Sequence, residues 1–300
     1  MRRAAILALL AVAACTVRRG PTPDPDADPN HPDGPRNDLV EPIGGPNTLE
    51  IATWNIENFP DTPGTPALVA DLITSLDLDI VVTEEIANET AWQELLDRLP
   101  EHDGVLSTHR YTPDEYQKIG VIYRTSEVKV GTPTLLFVAD GFAFPRPPFA
   151  LPIEVGGQTL ELIGVHLKAG VSIDDKDRRQ AAFVALDQHL RAQVDGGGEN
   201  EIVLLGDYNQ EIESAEGRTI AAPLLDAPDR YTVRTEPAAV AGGVTFLGFG
   251  GTFIDHISTT AALAETWKDA RIEIQRIDQV IGSYENLVSD HLPVVLVVPH

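Results

Sequence analysis

Two segments of this sequence end in side chains that could bind a metal ion or a phosphate group. The run EIVLLGDYNQ carries Asp207 and Asn209, and LVSDHLPVVLVV places Asp290 beside His291. Strand side chains alternate with a period of two, so Asp207 and Asn209 should share a face and offer two oxygen ligands. A carboxylate beside an imidazole, just before a strand-like run, supplies a base or a phosphate ligand. Two such strand ends predict one shared site.

Further polar residues occur where other strand-like runs end or begin. Asn55 lies in LEIATWNIENF, Glu85 in DIVVTEEI, His166 in TLELIGVHLKAG, and Asp255 heads the short run in GTFIDHIST. Because strand side chains alternate, we expect Glu84 to point away from Glu85. These positions add carboxylate, amide and imidazole groups to the predicted site.

In their order along the chain, these segments resemble the DNase I-like endonuclease/exonuclease/phosphatase superfamily. Its usual signals look like TWNI, an acidic strand end, a strand histidine, GDxN, IDxI and SDH, and all six occur here from about residue 50 onward. The resemblance implies an α/β (α+β) fold, a four-layer sandwich of two packed mixed β-sheets flanked by helices. It also implies an enzyme that hydrolyses phosphoester bonds with an activated water.

The resemblance implies a divalent-metal site as well. Glu85 would be the principal metal ligand, and Asn55 and Asp290 would complete the site. Magnesium accepts carboxylate and amide oxygens and keeps several waters, so one or two protein carboxylates suffice. Mg²⁺ is therefore the expected cofactor, with Mn²⁺ or Ca²⁺ as alternatives.

By the same resemblance, Asp207, Asp255 and two histidines would carry the catalytic chemistry. Asp207 would orient the attacking water. His291, held by Asp255 or Asp290, would contact the phosphate or act as a base. His166 would protonate the leaving group or bind the phosphate from the opposite side.

Asn209 and Arg146 are the predicted substrate contacts. Arg146 lies in FPRPPFALPIEV, which resembles a segment where relatives touch phosphate with an arginine, and a solvated loop arginine is the alternative. Gln117, in EYQKIGVIYR, stands where those nucleases carry a glutamate that supports the catalytic histidine, which leaves the support of His166 open. His256 should leave its strand on the face opposite the site and serve the structure.

The composition fits a single globular catalytic domain. The chain has 300 residues, of which 43% are hydrophobic and 23% charged, so it can bury a core. Site residues lie near both ends of residues 48–300, which places that range in one catalytic domain. The formal net charge of -24 argues against a surface that binds nucleic acid by neutralising many phosphates. An acidic surface suits a divalent-cation site, and equally an exported protein that must stay soluble.

The N-terminus is typical of an exported bacterial lipoprotein. Residues 1–14 combine a basic start with an apolar stretch too short to span a bilayer, which predicts a signal peptide. VAAC resembles a lipobox, so Cys15, the only cysteine, would be lipidated and anchor the protein to a membrane. An ordinary signal peptide with an incidental cysteine is the alternative. Thr16 favours the outer membrane or cell surface, by the sorting known in some Gram-negative bacteria.

Residues 15–47 comprise the lipidated cysteine and a linker rich in proline and aspartate. The linker offers almost nothing to bury, its prolines stiffen it, and its acidic side chains extend it. We therefore expect a tether that lets the catalytic domain stand away from the membrane.

Periodicity predicts the elements around the site. One helix has Thr65 as its cap and Pro66 in its first turn, a second is capped by Asn88, and a third begins near Asp177. KIGVIYR and VKVGTPTLLFV predict neighbouring strands joined by a turn. Residues 210–252 are less regular and predict a substrate loop.

Three functions remain open from the sequence. The first is an exported metal-dependent nuclease that acts on DNA, with RNA as the other nucleic acid. The second is a phosphatase or a sphingomyelinase-like lipid phosphodiesterase, for which VTFLGF would be a membrane-dipping hairpin, although it also reads as a buried strand. The third is a non-catalytic binding scaffold, which the complete set of site residues disfavours. No protein partner is inferred.

Overall fold

The computed structural model describes residues 35–197 and 200–299. Within these ranges the strands β1 to β13 are, in chain order, Thr48–Phe59, Ile80–Ile86, His102–Leu106, Lys118–Arg124, Val128–Val130, Thr134–Leu135, Phe149–Val155, Gln158–His166, Ile202–Asp207, Tyr231–Val233, Asp255–Thr260, Arg271–Ile274 and Val294–Pro299. The helices α1 to α8 are Thr65–Leu76, Glu89–Asp97, Ile173–Asp195, Ala215–Ile220, Ala222–Leu225, Glu236–Val240, Ala261–Thr266 and Tyr284–Leu287. Short 3₁₀ helices span Gly248–Gly250 and Ile277–Gln279.

The strands form two mixed sheets. The first has the order β12-β13-β1-β2-β4-β3, and the second has the order β10-β11-β9-β8-β7-β5, with β6 beside β7. β1 and β2 are parallel, as are β8 and β9, while the other pairs are antiparallel. Each sheet therefore contains one parallel pair, and these two pairs carry much of the site described below.

Apolar side chains hold the sheets face to face and the helices against their outer faces. Ile51 of β1 and Leu205 of β9 belong to the layer between the sheets. Trp54, which points to the other face of β1, packs in the layer formed with α1 and α2. Ile163 of β8 packs with Phe183 of α3 on the outside of the second sheet. The predicted four-layer sandwich is thus confirmed.

One predicted strand pair is wrong. β4, the KIGVIYR segment, pairs with β2 and β3 in the first sheet, whereas β5 pairs with β7 in the second. The short turn between Arg124 and Val128 carries the chain from one sheet to the other. A run of β-branched residues indicates a strand but does not choose its partner, because pairing depends on which faces become buried. The last strand, β13, pairs with the first strand, β1, so the first sheet combines segments from both ends of the domain.

Capping explains where the main helices begin. Gly64, rather than the predicted Thr65, is the N-cap of α1. The Asn88 side chain accepts hydrogen bonds from two N–H groups of the first turn of α2, as predicted. α3 begins one turn before its predicted start, because Ser172 and Asp175 form a capping box there.

Part of the predicted linker packs against the domain. The N–H of Leu39 donates to the hydroxyl of Ser75 at 3.2 Å, and the N–H of Ile43 donates to the carbonyl of Leu76 at 3.1 Å. Leu39 and Ile43 also pack against the apolar layer under α1. The boundary between residues 47 and 48 stays a prediction, but contacts with α1 begin before it.

The predicted signal peptide, residues 1–14, Cys15 and the first part of the linker lie outside the described residues. In the part of the chain that the structure describes, no helix has the length and apolar character needed to cross a membrane.

Candidate active site

Strand direction brings the predicted site residues to one end of the sandwich. The parallel strands β8 and β9 end in His166 and Asp207, which are paired in register. β11 runs antiparallel to β9, so it begins at the same end, where Asp255 pairs with Asp207. The predicted residues found at this end are Asn55, Glu85, His166, Asp207, Asn209, Asp255, Asp290 and His291.

Asp207 is the central carboxylate of the site. Its Oδ1 accepts the N–H of Asn209 at 2.7 Å, and its Oδ2 accepts from Nδ2 of Asn209 at 2.9 Å and from Nδ2 of Asn55 at 3.2 Å. The bond from Asn55 joins the first sheet to the second. Burial raises the pKa of Asp207 to about 7, with Asp255 adding to the rise and His291 opposing it. Three donors thus fix the carboxylate in one orientation.

His166 lies between Asp207 and Glu85. Its Nε2 is 3.5 Å from Oδ2 of Asp207 and 3.6 Å from Oε1 of Glu85, and its buried Nδ1 has no hydrogen-bond partner among the described residues. Burial lowers the pKa of His166 well below its ordinary value, and the charges of Arg146 and His291 lower it further. A histidine that is neutral at pH 7 can donate one hydrogen bond, which favours phosphate binding over protonation of the leaving group.

His291 is oriented by Asp255 and not by Asp290. Its Nδ1 lies 2.9 Å from Oδ2 and 3.0 Å from Oδ1 of Asp255, whereas its Nε2 lies 3.8 Å from Oδ1 of Asp290. Burial alone would lower the pKa of His291, but the carboxylates of Asp255, Asp207 and Asp290 raise it well above its ordinary value. The Nδ1–H donates to Asp255, so Nε2 is left to face the site.

Glu85 reaches the site because the backbone adopts an uncommon conformation at this residue. Its φ is 64°, in the left-handed region that residues other than glycine rarely adopt. Its Oε2 accepts the N–H of Asn58 at 2.9 Å, and its Oε1 faces His166. Strict alternation along β2 would instead place Glu85 with Val81, on the face covered by helices. Local backbone strain therefore delivers this carboxylate to the site.

Glu84 lies near two of the site carboxylates, because the charges of Asp255 and Asp207 act on it. That it points away from Glu85 stays a prediction. It is fully buried, its Oε1 accepts the hydroxyl of Thr53 at 3.0 Å, and its Oε2 has no hydrogen-bond partner among the described residues. Burial raises the pKa of Glu84 well above its ordinary value, and the charges of Asp255 and Asp207 raise it further. Burial therefore favours the neutral form of the Glu84 carboxyl group over its ionised form.

Two residues, one directly after the TWNI motif and one inside the SDH motif, support the site and were not assigned by sequence reasoning. Oε2 of Glu57 accepts the N–H of Asp290 at 3.0 Å. The hydroxyl of Ser289 donates to the carbonyl of Asn55 at 2.7 Å and accepts the N–H of His291 at 2.9 Å. The sequence held a signal for both, because Glu57 follows Asn55 by the period of a strand and Ser289 opens the SDH motif.

Arg146 is held at the site by protein acceptors and is not a solvated loop charge. Its Nε and Nη2 donate to Oε1 of Gln117 at 3.2 and 3.0 Å, and its Nη1 donates to the carbonyl of Leu167 at 3.2 Å. Gln117 also donates to Oδ1 of Asn58 at 2.7 Å. Among the described residues Gln117 makes no hydrogen bond to His166, so it positions the arginine and not the histidine.

His256 serves the fold. It lies in the same strand as Asp255, on the opposite face, and is fully buried. Its Nδ1 is 2.9 Å from Oγ1 of Thr235, its Nε2 is 3.0 Å from the carbonyl of Gln210, and its ring packs against Tyr208. Burial lowers the pKa of His256 to about 4, so this side chain is neutral.

The donor set fits a divalent cation. Burial raises the pKa of Glu57 to about 7, and Asp290 adds to that rise; burial also raises the pKa of Asp290, with Glu85 adding to it. Within the described ranges no lysine or arginine forms an ion pair with any of these three carboxylates. A divalent cation would offset their repulsion, and Mg²⁺ prefers carboxylate and amide oxygens. Asn55, Glu85 and Asp290, the predicted ligands, could hold it.

A second set of potential ligands is Asp207, Asp255 and His291, whose donor atoms lie within 4.8 Å of one another. These groups are already engaged, because Asp255 accepts from His291 and Asp207 accepts three hydrogen bonds. Oε1 of Glu85 lies 3.6 Å from Nε2 of His166 and accepts no hydrogen bond from the described residues, and Oδ1 of Asp290 lies 3.8 Å from Nε2 of His291. Free lone pairs make Glu85 and Asp290 the better ligands.

Two stacked mixed sheets, with carboxylates and histidines gathered at one end of the strands, define the DNase I-like class of hydrolase folds. The protein belongs to the Endonuclease/Exonuclease/phosphatase family, whose sequence model matches residues 52–295. The activities in that family name all break phosphoester bonds. A comparison with curated protein sequences found no match.

Solved structures share this fold at low sequence identity. The endonuclease/exonuclease/phosphatase of Bacteroides vulgatus superposes with a TM-score of 0.62 at 18% identity, covering 84% of this chain and 98% of that chain. TDP2 of D. rerio complexed with a single-strand DNA product gives 0.61 at 14% identity, covering 84% and 99%. The mannosyl-6-phosphatase of Bacteroides thetaiotaomicron gives 0.60 at 16% identity, covering 83% and 99%. At these identities the likeness establishes the fold alone.

Proposed function

We propose that this protein is a divalent-metal-dependent phosphodiesterase that cleaves nucleic acid, and that DNA rather than RNA is its substrate. The observation that carries the proposal is the placement of Asp207, fixed by three donors, in one cluster with the neutral His166 and the protonated His291. Membership of the family supports phosphoester hydrolysis. The likeness in fold to TDP2, which was solved with a single-strand DNA product, supports nucleic acid as the substrate class.

The side chains of this protein meet the needs of phosphodiester hydrolysis, which are an aligned water and stabilised phosphoryl oxygens. The Asp207 carboxylate has roughly four lone-pair positions, and three of them accept hydrogen bonds from Asn55 and Asn209. The remaining position can accept a hydrogen bond from the attacking water. Nε2 of His291 donates to one phosphoryl oxygen, because Asp255 occupies Nδ1. His166 donates to a second phosphoryl oxygen. Asn209 and Arg146 hold the substrate.

The metal completes this arrangement. When bound by Asn55, Glu85 and Asp290, a divalent ion supplies Lewis-acid stabilisation of the phosphoryl oxygens and the leaving oxygen. Mg²⁺ is the proposed ion, and Mn²⁺ and Ca²⁺ are the alternatives to be compared.

We also propose that the protein is exported and attached to the outer membrane or cell surface by a lipid on Cys15. The basic and apolar segment before VAAC and the proline-rich linker after it support this proposal. A nuclease in this location would meet nucleic acid outside the cytoplasm.

A substrate panel tests the proposal. The full-length Cys15→Ala chain is incubated with plasmid DNA, RNA, a phosphomonoester and sphingomyelin, each with Mg²⁺, Mn²⁺, Ca²⁺ or EDTA. We expect metal-dependent cleavage of DNA that EDTA abolishes. Turnover of sphingomyelin or the phosphomonoester without cleavage of nucleic acid would replace the nuclease with a lipid phosphodiesterase or a phosphatase. Activity that persists in EDTA would contradict the metal requirement.

A further inference from the structure

A short loop beside the site carries a fully exposed aromatic ring at its tip. Phe249, in the loop that precedes β11, is 99% exposed, the highest value among the exposed large hydrophobic residues of the described ranges. Phe246, in the same loop, is partly buried, and the two ring centroids lie 6.1 Å apart. A ring that stays in water gains nothing from burial, so packing within the domain does not explain Phe249.

Contacts with the site residues fix the position of this loop. Phe246 forms a β-bridge with His291, and its ring centroid lies 4.9 Å from that of the imidazole. The N–H of Leu247 donates to the carbonyl of Asp290 at 2.8 Å. The hydroxyl of Thr245 accepts the N–H of Asp255 at 3.1 Å. The loop that carries the exposed ring is therefore held next to Asp255, Asp290 and His291.

The backbone at the loop tip disfavours a bulky residue. Phe249 has φ 53° and ψ 22°, in the left-handed region where glycine is the favoured residue. Its neighbours Gly250 and Gly251 also have positive φ values, 92° and 93°. Neither burial nor backbone preference explains a phenylalanine at this position. Its side chain therefore indicates a contact with another molecule.

We infer that Phe249 stacks on an unpaired base of a single-stranded nucleic acid while the neighbouring phosphate occupies the active site. The inference rests on the proposed function and names the strand state of its substrate. Residues 240–254 contain no charged side chain, so this loop is suited to a base and not to a phosphate. Stacking does not depend on the charge of the protein or on the base sequence. It therefore suits a protein whose net charge of -24 argues against binding a polyanion by neutralising many phosphates.

A lipid surface is the competing partner for an exposed phenylalanine. The loop offers one exposed ring flanked by glycines, because Leu247 is packed against the core. Burial in a bilayer depends on a broad apolar area, and a single ring contributes little of it. Val171 and Ile173, which follow His166 in the sequence, are also exposed, so binding to lipid is tested directly.

The experiment separates the contribution of Phe249 to substrate binding from the hydrolysis of the phosphodiester. Phe249→Ala in the full-length Cys15→Ala chain is assayed on two single-stranded DNA oligonucleotides of equal length, one with natural bases and one with abasic spacers throughout. On the natural oligonucleotide KM should rise about 5- to 160-fold with kcat nearly unchanged, since one base–aromatic stack is lost. On the abasic oligonucleotide the variant should match the parent chain. Phe249→Trp should restore KM, and Val280→Ala, another exposed apolar residue, should leave it unchanged.

Results other than these would contradict either the stacking of Phe249 or the proposed function. An unchanged KM for Phe249→Ala on an oligonucleotide that the parent chain cleaves overturns the stacking and leaves the hydrolase intact. Absence of both binding and cleavage of every nucleic acid by the parent chain overturns the proposed function and the stacking together. Binding of the parent chain to phosphatidylcholine vesicles that Phe249→Ala abolishes, with KM unchanged, assigns the ring to a lipid surface. Phe249→Gly should melt no lower than the parent, because the ring buries nothing and glycine suits the backbone.

Discussion

In the Glu85 carboxylate, Oε2 accepts the Asn58 N–H, and Oε1 accepts no hydrogen bond from the described residues. Loss of this side chain should therefore affect the metal more than the fold. We expect Glu85→Ala to weaken the metal dependence of activity more than any other single change, because a hard cation loses both a charge and an oxygen ligand. Titration of activity with Mg²⁺ measures this. Glu84→Gln is the matched control, since it changes the neighbouring carboxyl group to an amide of the same shape outside the predicted ligands. A wild-type metal response in Glu85→Ala would remove this residue from the metal site.

The two histidines should act on one transition state. His166→Ala and His291→Ala should each reduce kcat at least about 100-fold, and the double variant should lose less than the product of the two effects. Circular dichroism and Mg²⁺ binding should match the parent chain. His189→Ala, on α3, serves as the control. Near-normal turnover of His166→Ala on every phosphodiester would show that the roles are divided differently.

At the scale of elements, the parallel pair β8–β9 sets the distance between His166 and Asp207. Gly206 has φ 145°, and a Cβ atom there would lie 1.9 Å from the carbonyl oxygen of Val165. Gly206→Ala should therefore force these strands apart and destabilise the domain by roughly 3 kcal/mol or more. Denaturant unfolding measures this loss.

Gly157 provides the comparison for Gly206. It also has a positive φ, 80°, but a Cβ atom there would meet nothing within 4 Å. Gly157→Ala should cost about 1 kcal/mol from the backbone conformation, because no described residue would clash with the added Cβ atom. Equal losses at the two positions would mean that the close approach of β8 and β9 does not limit stability.

At the scale of the whole molecule, a buried acid near the start of β1 makes stability depend on pH. Burial raises the pKa of Glu50 to about 8, with Asp79 adding to the rise and Thr48 opposing it. The folded state therefore binds more protons than the unfolded state between about pH 4.5 and 8, so stability falls as pH rises through that window. Glu50→Gln should remove this loss. The free energy of unfolding that the substitution adds should therefore be roughly 3 kcal/mol greater at pH 8 than at pH 5.

The measurement for Glu50 is the free energy of unfolding at pH 5, 6, 7 and 8. Glu41→Gln, at an exposed position, is the control and should leave the pH profile unchanged. Parallel profiles for Glu50→Gln and the parent chain would show that Glu50 is not held neutral in the folded state.

Anchoring and catalysis should be separable in the whole molecule. Cys15→Ala should release the protein from the membrane fraction and leave kcat unchanged, because a lipid supplies only membrane affinity and the linker separates it from the site. Cell fractionation and metabolic lipid labelling measure this. A wild-type chain without a lipid label, or a variant that still fractionates with membranes, would favour cleavage by an ordinary signal peptidase.

The sequence by itself determined the family, the two-sheet sandwich and the strand ends that carry the site. Asp207, Asp255 and His291 were found because motif residues at strand ends follow local rules of alternation and because the motifs occur in a fixed order. The cap of α2 at Asn88 was likewise local, since a side-chain oxygen needs only the next turn to bond.

Tertiary structure alone decided which partners these residues have. Asp255 rather than Asp290 orients His291, Glu85 turns into the site through a left-handed backbone, and β5 pairs in the second sheet. The pKa values of His166 and Glu84 also depend on burial among groups distant in sequence. Periodicity in a sequence encodes which face a side chain takes on its own strand. Strand pairing, burial and the electric field at a site arise only when distant segments pack together, so no local pattern contains them.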